Sequence, residues 1–67
     1  MKRMICTPVE AAEALATRPA KVRELLDRGD IPSYKEGRNY KIPIVLLEEY
    51  IVARALKETE ERRNNGQ

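Results

Sequence analysis

The chain has 67 residues and is read as one domain over 1–67. A domain of this size buries only about 60% of the surface its unfolded chain exposes, which leaves no room for a deep substrate pocket. Charged residues make up 36% of it with both signs interspersed, and no apolar run approaches the ~20 residues of a membrane helix. Met1-Lys2-Arg3-Met4-Ile5 is basic then apolar but too short for a signal peptide. The expectation is a cytoplasmic protein of a bacterial host with no membrane partner. Cys6 is the single cysteine and histidine is absent. That excludes an internal disulfide, argues against a structural metal and leaves no cofactor expected.

The net charge of +2 is unevenly placed. Residues 17–41 carry seven basic groups against four acidic ones, an excess of three, while 42–67 carry four against five. A local basic patch is what phosphate binding needs.

Met1 to Cys6 reads as a short extended lead-in. Thr7-Pro8-Val9-Glu10 reads as a helix start: Thr7 caps, Pro8 takes the first position and Glu10 completes a capping box. The first helix is expected from about Pro8 to Ala16, with Val9, Ala12, Leu15 and Ala16 inward. Thr17-Arg18-Pro19 forces a break, with Thr17 the better cap on side-chain chemistry. The second helix follows, ended by Gly29 in the left-handed position. At about 100° per residue, Val22, Leu25 and Leu26 share its inner side, and Ala20, Arg23, Glu24 and Asp27 its outer side. Lys21 and Arg28 flank the two.

Ile31 is a lone apolar residue among turn formers and is expected beneath the helices. Ser33-Tyr34-Lys35 and Tyr40-Lys41-Ile42 alternate as strands around Glu36-Gly37-Arg38-Asn39. This predicts a hairpin with a four-residue loop. Tyr34, Tyr40 and Ile42 are expected inward, and Lys35, Arg38, Asn39 and Lys41 at the tip or outside. Pro43 opens a third helix, from about Ile44 to Glu61, and 62–67 is expected to fray. On that helix Leu46, Leu47, Tyr50, Ile51 and Ala55 form the packing arc. Val45, Val52 and Leu56 cluster separately, near about 80–120° when Ile44 is set to zero. They are candidates for a protein–protein contact.

No enzyme chemistry finds support. There is no histidine, no glycine-rich phosphate loop and only one serine, so no catalytic residues are assigned. What remains is helix, tight turn, helix, hairpin, helix: mainly α with a small β-hairpin, a winged helix-turn-helix. A second helix with a basic outer face and a basic hairpin tip, brought onto one surface, would meet the two grooves of DNA.

Thr7-Pro8-Val9-Glu10-Ala11-Ala12-Glu13-Ala14-Leu15, then Val22, Leu25-Leu26 and Gly29-Asp30-Ile31-Pro32, resemble excisionase-type, MerR-like winged-helix domains. Gly37-Arg38 followed by Tyr40-Lys41-Ile42-Pro43 resembles the family's wing, and Leu47 and Tyr50-Ile51 match its last helix. The resemblance covers about Thr7 to Ile51. The chain departs from the family at Ala16 and Arg18, where glycine and serine are usual, and at Glu36, where an apolar residue is usual.

The resemblance implies a DNA-binding protein of phages and mobile elements, with no catalytic activity. It implies a recombination directionality factor that binds tandem double-stranded DNA sites cooperatively, bends DNA and directs a site-specific integrase toward excision. Its partners would be DNA, the integrase and neighbouring copies of itself, and it would be nucleoid-associated when bound. Carried over by residue, Arg18, Ala20, Lys21 and Arg23 hold reading positions and Arg38 and Asn39 the wing tip. Glu24, Arg28, Lys35 and Lys41 complete the candidate DNA-binding set. Two other readings stay open: a small winged-helix transcriptional regulator, and an antitoxin-like or adaptor module for protein interaction.

Overall fold

The structure is a computed structural model and describes residues 2–66. In chain order the elements are β1 (Ile5–Cys6), α1 (Pro8–Ala14), α2 (Pro19–Asp27), β2 (Tyr34–Glu36), β3 (Asn39–Pro43) and α3 (Ile44–Asn65). The three strands form an antiparallel sheet in the order β1-β3-β2. With helix-turn-helix, hairpin and final helix in this order, the molecule is a winged helix-turn-helix. Its core is Cys6, Ala11, Ala12, Val22, Leu25, Leu26, Ile31, Ile42 and Leu47. Ile31, Ile42 and Val22 are its largest fully buried side chains.

α1 starts as its sequence dictates. The Thr7 hydroxyl accepts from the Glu10 backbone N–H at 3.2 Å, and the Glu10 carboxylate accepts from the Thr7 N–H at 2.8 Å. Arg3 adds an ion pair to the same carboxylate. The inward residues are Pro8, Ala11 and Ala12, with Leu15 half-buried. Val9 is 53% exposed, against the expectation that it packs inward. An arc centred on Ala11 and Ala12 turns Val9 about 100° away from Pro8. Ala16 is also exposed, because the helix stops two residues before it.

The two helices end in the same way. After α1, Ala16 N–H donates to the Glu13 carbonyl at 3.1 Å and Thr17 N–H to the Ala12 carbonyl at 2.9 Å. After α2, Gly29 N–H donates to the Leu26 carbonyl at 3.0 Å and Asp30 N–H to the Leu25 carbonyl at 2.9 Å. Both are Schellman ends, which need a left-handed residue just past the cap. Gly29 meets that need at φ 80°, whereas Ala16 adopts φ 56° despite its Cβ. Thr17 is therefore spent closing α1, and Arg18 becomes the N-cap of α2 with no side-chain capping bond. This corrects the expectation that Thr17 caps. Pro19 at the first position removes one of the N–H groups that would otherwise lack a partner.

The hairpin is tighter than expected. Glu36 pairs with Asn39, Lys35 with Tyr40 and Tyr34 with Lys41, so the loop is only Gly37-Arg38. Gly37 has φ 66° and Arg38 and Asn39 do not have positive φ. That is the pattern of a two-residue turn with glycine at its first central position. Because Lys35 lies opposite Tyr40, Tyr34 must face the other way. Tyr34 is 51% exposed, and the expectation that it joins the core is corrected. Lys35 likewise sits on the Tyr40 face rather than the outer one.

α3 is tied to the lead-in by Ile44 N–H donating to the Met4 carbonyl at 2.9 Å. It continues to Asn65, so Arg62 to Asn65 are helical where a frayed tail was expected. Arg62 and Arg63 lie in its last turn, where cations complement the helix dipole. Gln67 lies outside the described residues. Of the expected packing arc, Leu47 is buried and Leu46 and Tyr50 half-buried, but Ile51 and Ala55 are exposed, bordering an open groove beside Leu15, Ala16 and Thr17 rather than packing closely on the body.

Two predictions follow from the ends of α1. Ala16→Gly removes the left-handed strain of alanine without touching a packed side chain. It should stabilise the fold by about 0.5–1 kcal/mol, read as a rise of roughly 2–8 °C in Tm. An unchanged or lower Tm would mean that the turn stores no strain. The Glu10 carboxyl is held below its ordinary value of 4.5, first by the Thr7 N–H and then by Arg3. A lowered carboxyl pKa contributes stability above the unfolded value, lost as pH falls through the native value. Denaturation midpoints measured below pH 4.5 should fall more steeply in the parent than in Glu10→Gln.

Candidate nucleic-acid interface

α2 presents its outer side to solvent because Val22, Leu25 and Leu26 are drawn into the core. Arg23 and Glu24 are consequently exposed, as are Arg18 and Ala20 at the helix start. The cations of this helix then divide by environment. Lys21 is half-buried and lies 3.6 Å from Glu24, and Arg28 lies 3.3 Å from Glu24 and 2.7 Å from Asp30. Both face a groove shared with Tyr50, Arg54 and Glu58 of α3. The Arg23 side chain forms no ion pair or hydrogen bond among the described residues, and neither do the side chains of Arg18, Arg38 and Lys41.

A groove of about 410 Å³ runs between the start of α1, the outer side of α2 and the wing. Arg23, Arg38, Asn39 and Lys41 line it, and Thr7, Pro8, Val9 and Tyr40 complete its wall. It thus carries three cations and no carboxylate. These are residues from separate parts of the candidate set: one from the second helix and three from the hairpin. Lys21, Glu24, Arg28 and Lys35 lie outside it, as do Arg18 and Ala20. Glu36 also lies outside the groove, although its pairing places it on the same sheet face as Asn39.

The wing is fixed to α2 through one side chain. The Tyr40 hydroxyl donates to the Asp27 carboxylate at the last residue of α2. This bond, with burial and the Asp27 charge, raises the tyrosine pKa above its ordinary value. Lys35 Nζ lies 4.8 Å from the Tyr40 ring centroid, so this lysine covers the ring from the neighbouring strand. The distance from Arg23 to Arg38 is therefore governed by a tethered hairpin rather than by a loose arm.

Sequence reasoning had not placed Thr7, Pro8 and Val9 at this surface. Val9 falls off the arc of Ala11 and Ala12, and that was the available signal. The Tyr40–Asp27 bond had none, since thirteen residues separate its partners. Val45, Val52 and Leu56 lie elsewhere, together on the exposed side of α3. Among the described residues no group of acidic, cysteine or histidine side chains is placed to hold a metal ion. No described helix is long and apolar enough to cross a membrane.

A family model described as a helix-turn-helix domain matches residues 5–55. The match takes in both helices, the wing and the first half of α3. No curated protein and no solved structure matches the chain. The chain belongs to the helix-turn-helix domain family, a DNA-binding family that includes excisionase-like proteins.

Proposed function

We propose that this protein is an excisionase: a sequence-specific architectural DNA binder of a phage or mobile element that bends DNA and directs a site-specific integrase toward excision. The observation that carries the DNA-binding part is the acid-free groove joining Arg23 to Arg38, Asn39 and Lys41. In this reading α2 enters the major groove and the wing reaches the adjacent minor groove or its backbone. Arg23 is suited to a guanine edge, where a guanidinium makes two hydrogen bonds. Arg38 at the tip suits a narrow, A·T-rich minor groove, whose negative potential attracts arginine. Support for the excisionase role comes from the residue-level resemblance and from the presence of excisionase-like proteins in the family. Its partners would be the integrase and copies of itself on adjacent sites. The second reading, a winged-helix transcriptional regulator, shares the same DNA contacts and differs only in what assembles on them.

Arg23→Ala should cost about 1–3 kcal/mol in DNA affinity and relax preference at one base pair. Lys21→Ala should cost less, because Lys21 is turned toward α3. Arg38→Ala should weaken binding on every sequence and reduce the salt slope by about one. Affinity and slope unchanged in both arginine variants, measured by fluorescence anisotropy across a salt series, would remove the groove from the interface.

The excisionase role itself is read by supplying the integrase of the same element with its recombined substrate, with and without this protein. Product formation should depend on this protein, and gel mobility should vary with the position of the site in the fragment, as bent DNA requires. Tight binding with no bend and no effect on the integrase would favour the regulator.

A further inference from the structure

Asp27 is an anion at the unfavourable end of a helix. It is the last residue of α2, and a helix dipole disfavours negative charge at its C-terminal end. It is also exposed, so packing does not hold it in place. Its neighbour Arg28 is taken, with a guanidinium 3.3 Å from Glu24 and 2.7 Å from Asp30. The other cation adjacent to it along the helix is Arg23, four residues back. Side chains at that spacing lie on one face, and opposite charges there attract.

Elsewhere in this chain the same spacing produces ion pairs. Glu24 and Arg28 meet at 3.3 Å on α2 itself. Arg54 and Glu58, with the arginine leading as it does in Arg23 and Asp27, meet at 2.8 Å on α3. Arg23 and Asp27 form no such pair among the described residues. The Asp27 carboxylate accepts instead from the Tyr40 hydroxyl of β3. Arg23 is near enough for its charge to oppose the rise that this bond causes in the tyrosine pKa. Lys35 lies over the Tyr40 ring and does not pair with Asp27 either.

We propose that Tyr40 is a positioning residue for DNA binding: its hydroxyl engages the Asp27 carboxylate and so keeps it from capturing Arg23. This rests on the reading of Arg23 as a DNA contact. An Arg23 paired with Asp27 has to break that pair before it reaches a base edge or a phosphate. With the carboxylate held by Tyr40, the guanidinium is left free in the groove it shares with Arg38 and Lys41.

Two substitutions separate this role from that of holding the wing. Tyr40→Phe keeps the ring and the Lys35 contact and removes only the donor. Asp27→Asn keeps an acceptor for the tyrosine hydroxyl, so the wing stays attached, but removes the charge that Arg23 would pair with. The test is a double-mutant cycle in DNA affinity. Tyr40→Phe should weaken binding about twofold more in the parent than in the Asp27→Asn background. That difference should vanish when both are combined with Arg23→Ala. An equal loss in the two backgrounds means that the hydroxyl only holds the wing, and overturns the proposal. No loss in either overturns it as well.

A second measurement needs no DNA. In the free protein, Arg23→Gln should displace the NMR resonance of the Asp27 carboxyl carbon further in Tyr40→Phe than in the parent. An equal displacement overturns the proposal whatever the affinities are. If the carboxyl responds as expected but Arg23→Ala leaves DNA affinity intact, the DNA contact assigned to Arg23 fails, not the competition between Tyr40 and Arg23 for Asp27.

Discussion

Burial of Ile42 in the middle of β3 is the constraint on which the rest of the molecule depends. Ile42 is fully buried, and its strand is the only described one paired on both edges. On one side Cys6 of β1 lies opposite Ile42, which brings the start of α1 beside the wing. On the other side β2 extends the sheet into the hairpin tip. One residue past the strand α3 begins, directed by the bond from Ile44 to Met4. Sliding β3 by one residue would turn Ile42 outward and Lys41 inward. The core, the wing and the direction of α3 would then fail together.

The distribution of charge follows from the same packing. Three cations on the body form ion pairs: Arg3 with Glu10, Lys21 with Glu24, and Arg28 with Glu24 and Asp30. Such exposed pairs stabilise little. They leave Arg18 outside the groove, and Arg23, Arg38 and Lys41 in it, without an ion-pair partner among the described residues. No carboxylate lines the groove that Arg23, Arg38 and Lys41 share. The Tyr40–Asp27 bond adds a second effect. It engages the Asp27 carboxylate at the end of α2, which is thereby turned to holding the hairpin.

α3 divides into two parts with different surroundings. Up to Tyr50 it closes the core with Leu47, Ile44 and Tyr50. Beyond that point every described residue is exposed, with Arg54 and Glu58 still bordering a groove shared with Lys21 and Arg28 of α2, and the molecule is elongated at 47 × 26 × 18 Å. Surface leucines and valines are common singly; here Val45, Val52 and Leu56 adjoin one another on one side of the helix.

The local grammar of this chain was legible without coordinates. Thr7-Pro8-Val9-Glu10 carries its capping box in four consecutive residues, Gly29 ends α2, and Val22, Leu25 and Leu26 lie at helical spacing, so these elements and the fold class could be read directly. Their signals depend on neighbours three or four residues apart. What only the tertiary structure decided depends on contacts between distant parts. Val9 turned outward because α1 packs through Ala11 and Ala12. Tyr34 turned outward because hairpin register assigned the inner face to Tyr40. Thr17 lost the cap because its N–H was needed to close the preceding helix. The groove itself needed Arg23 to be brought to Arg38 and Lys41 across a sheet and a tethered strand. Composition showed an excess of positive charge over residues 17–41, but pairing removed Lys21 and Arg28 from it. Which cations remain unpaired is set by side-chain geometry in three dimensions, and no one-dimensional spacing encodes that.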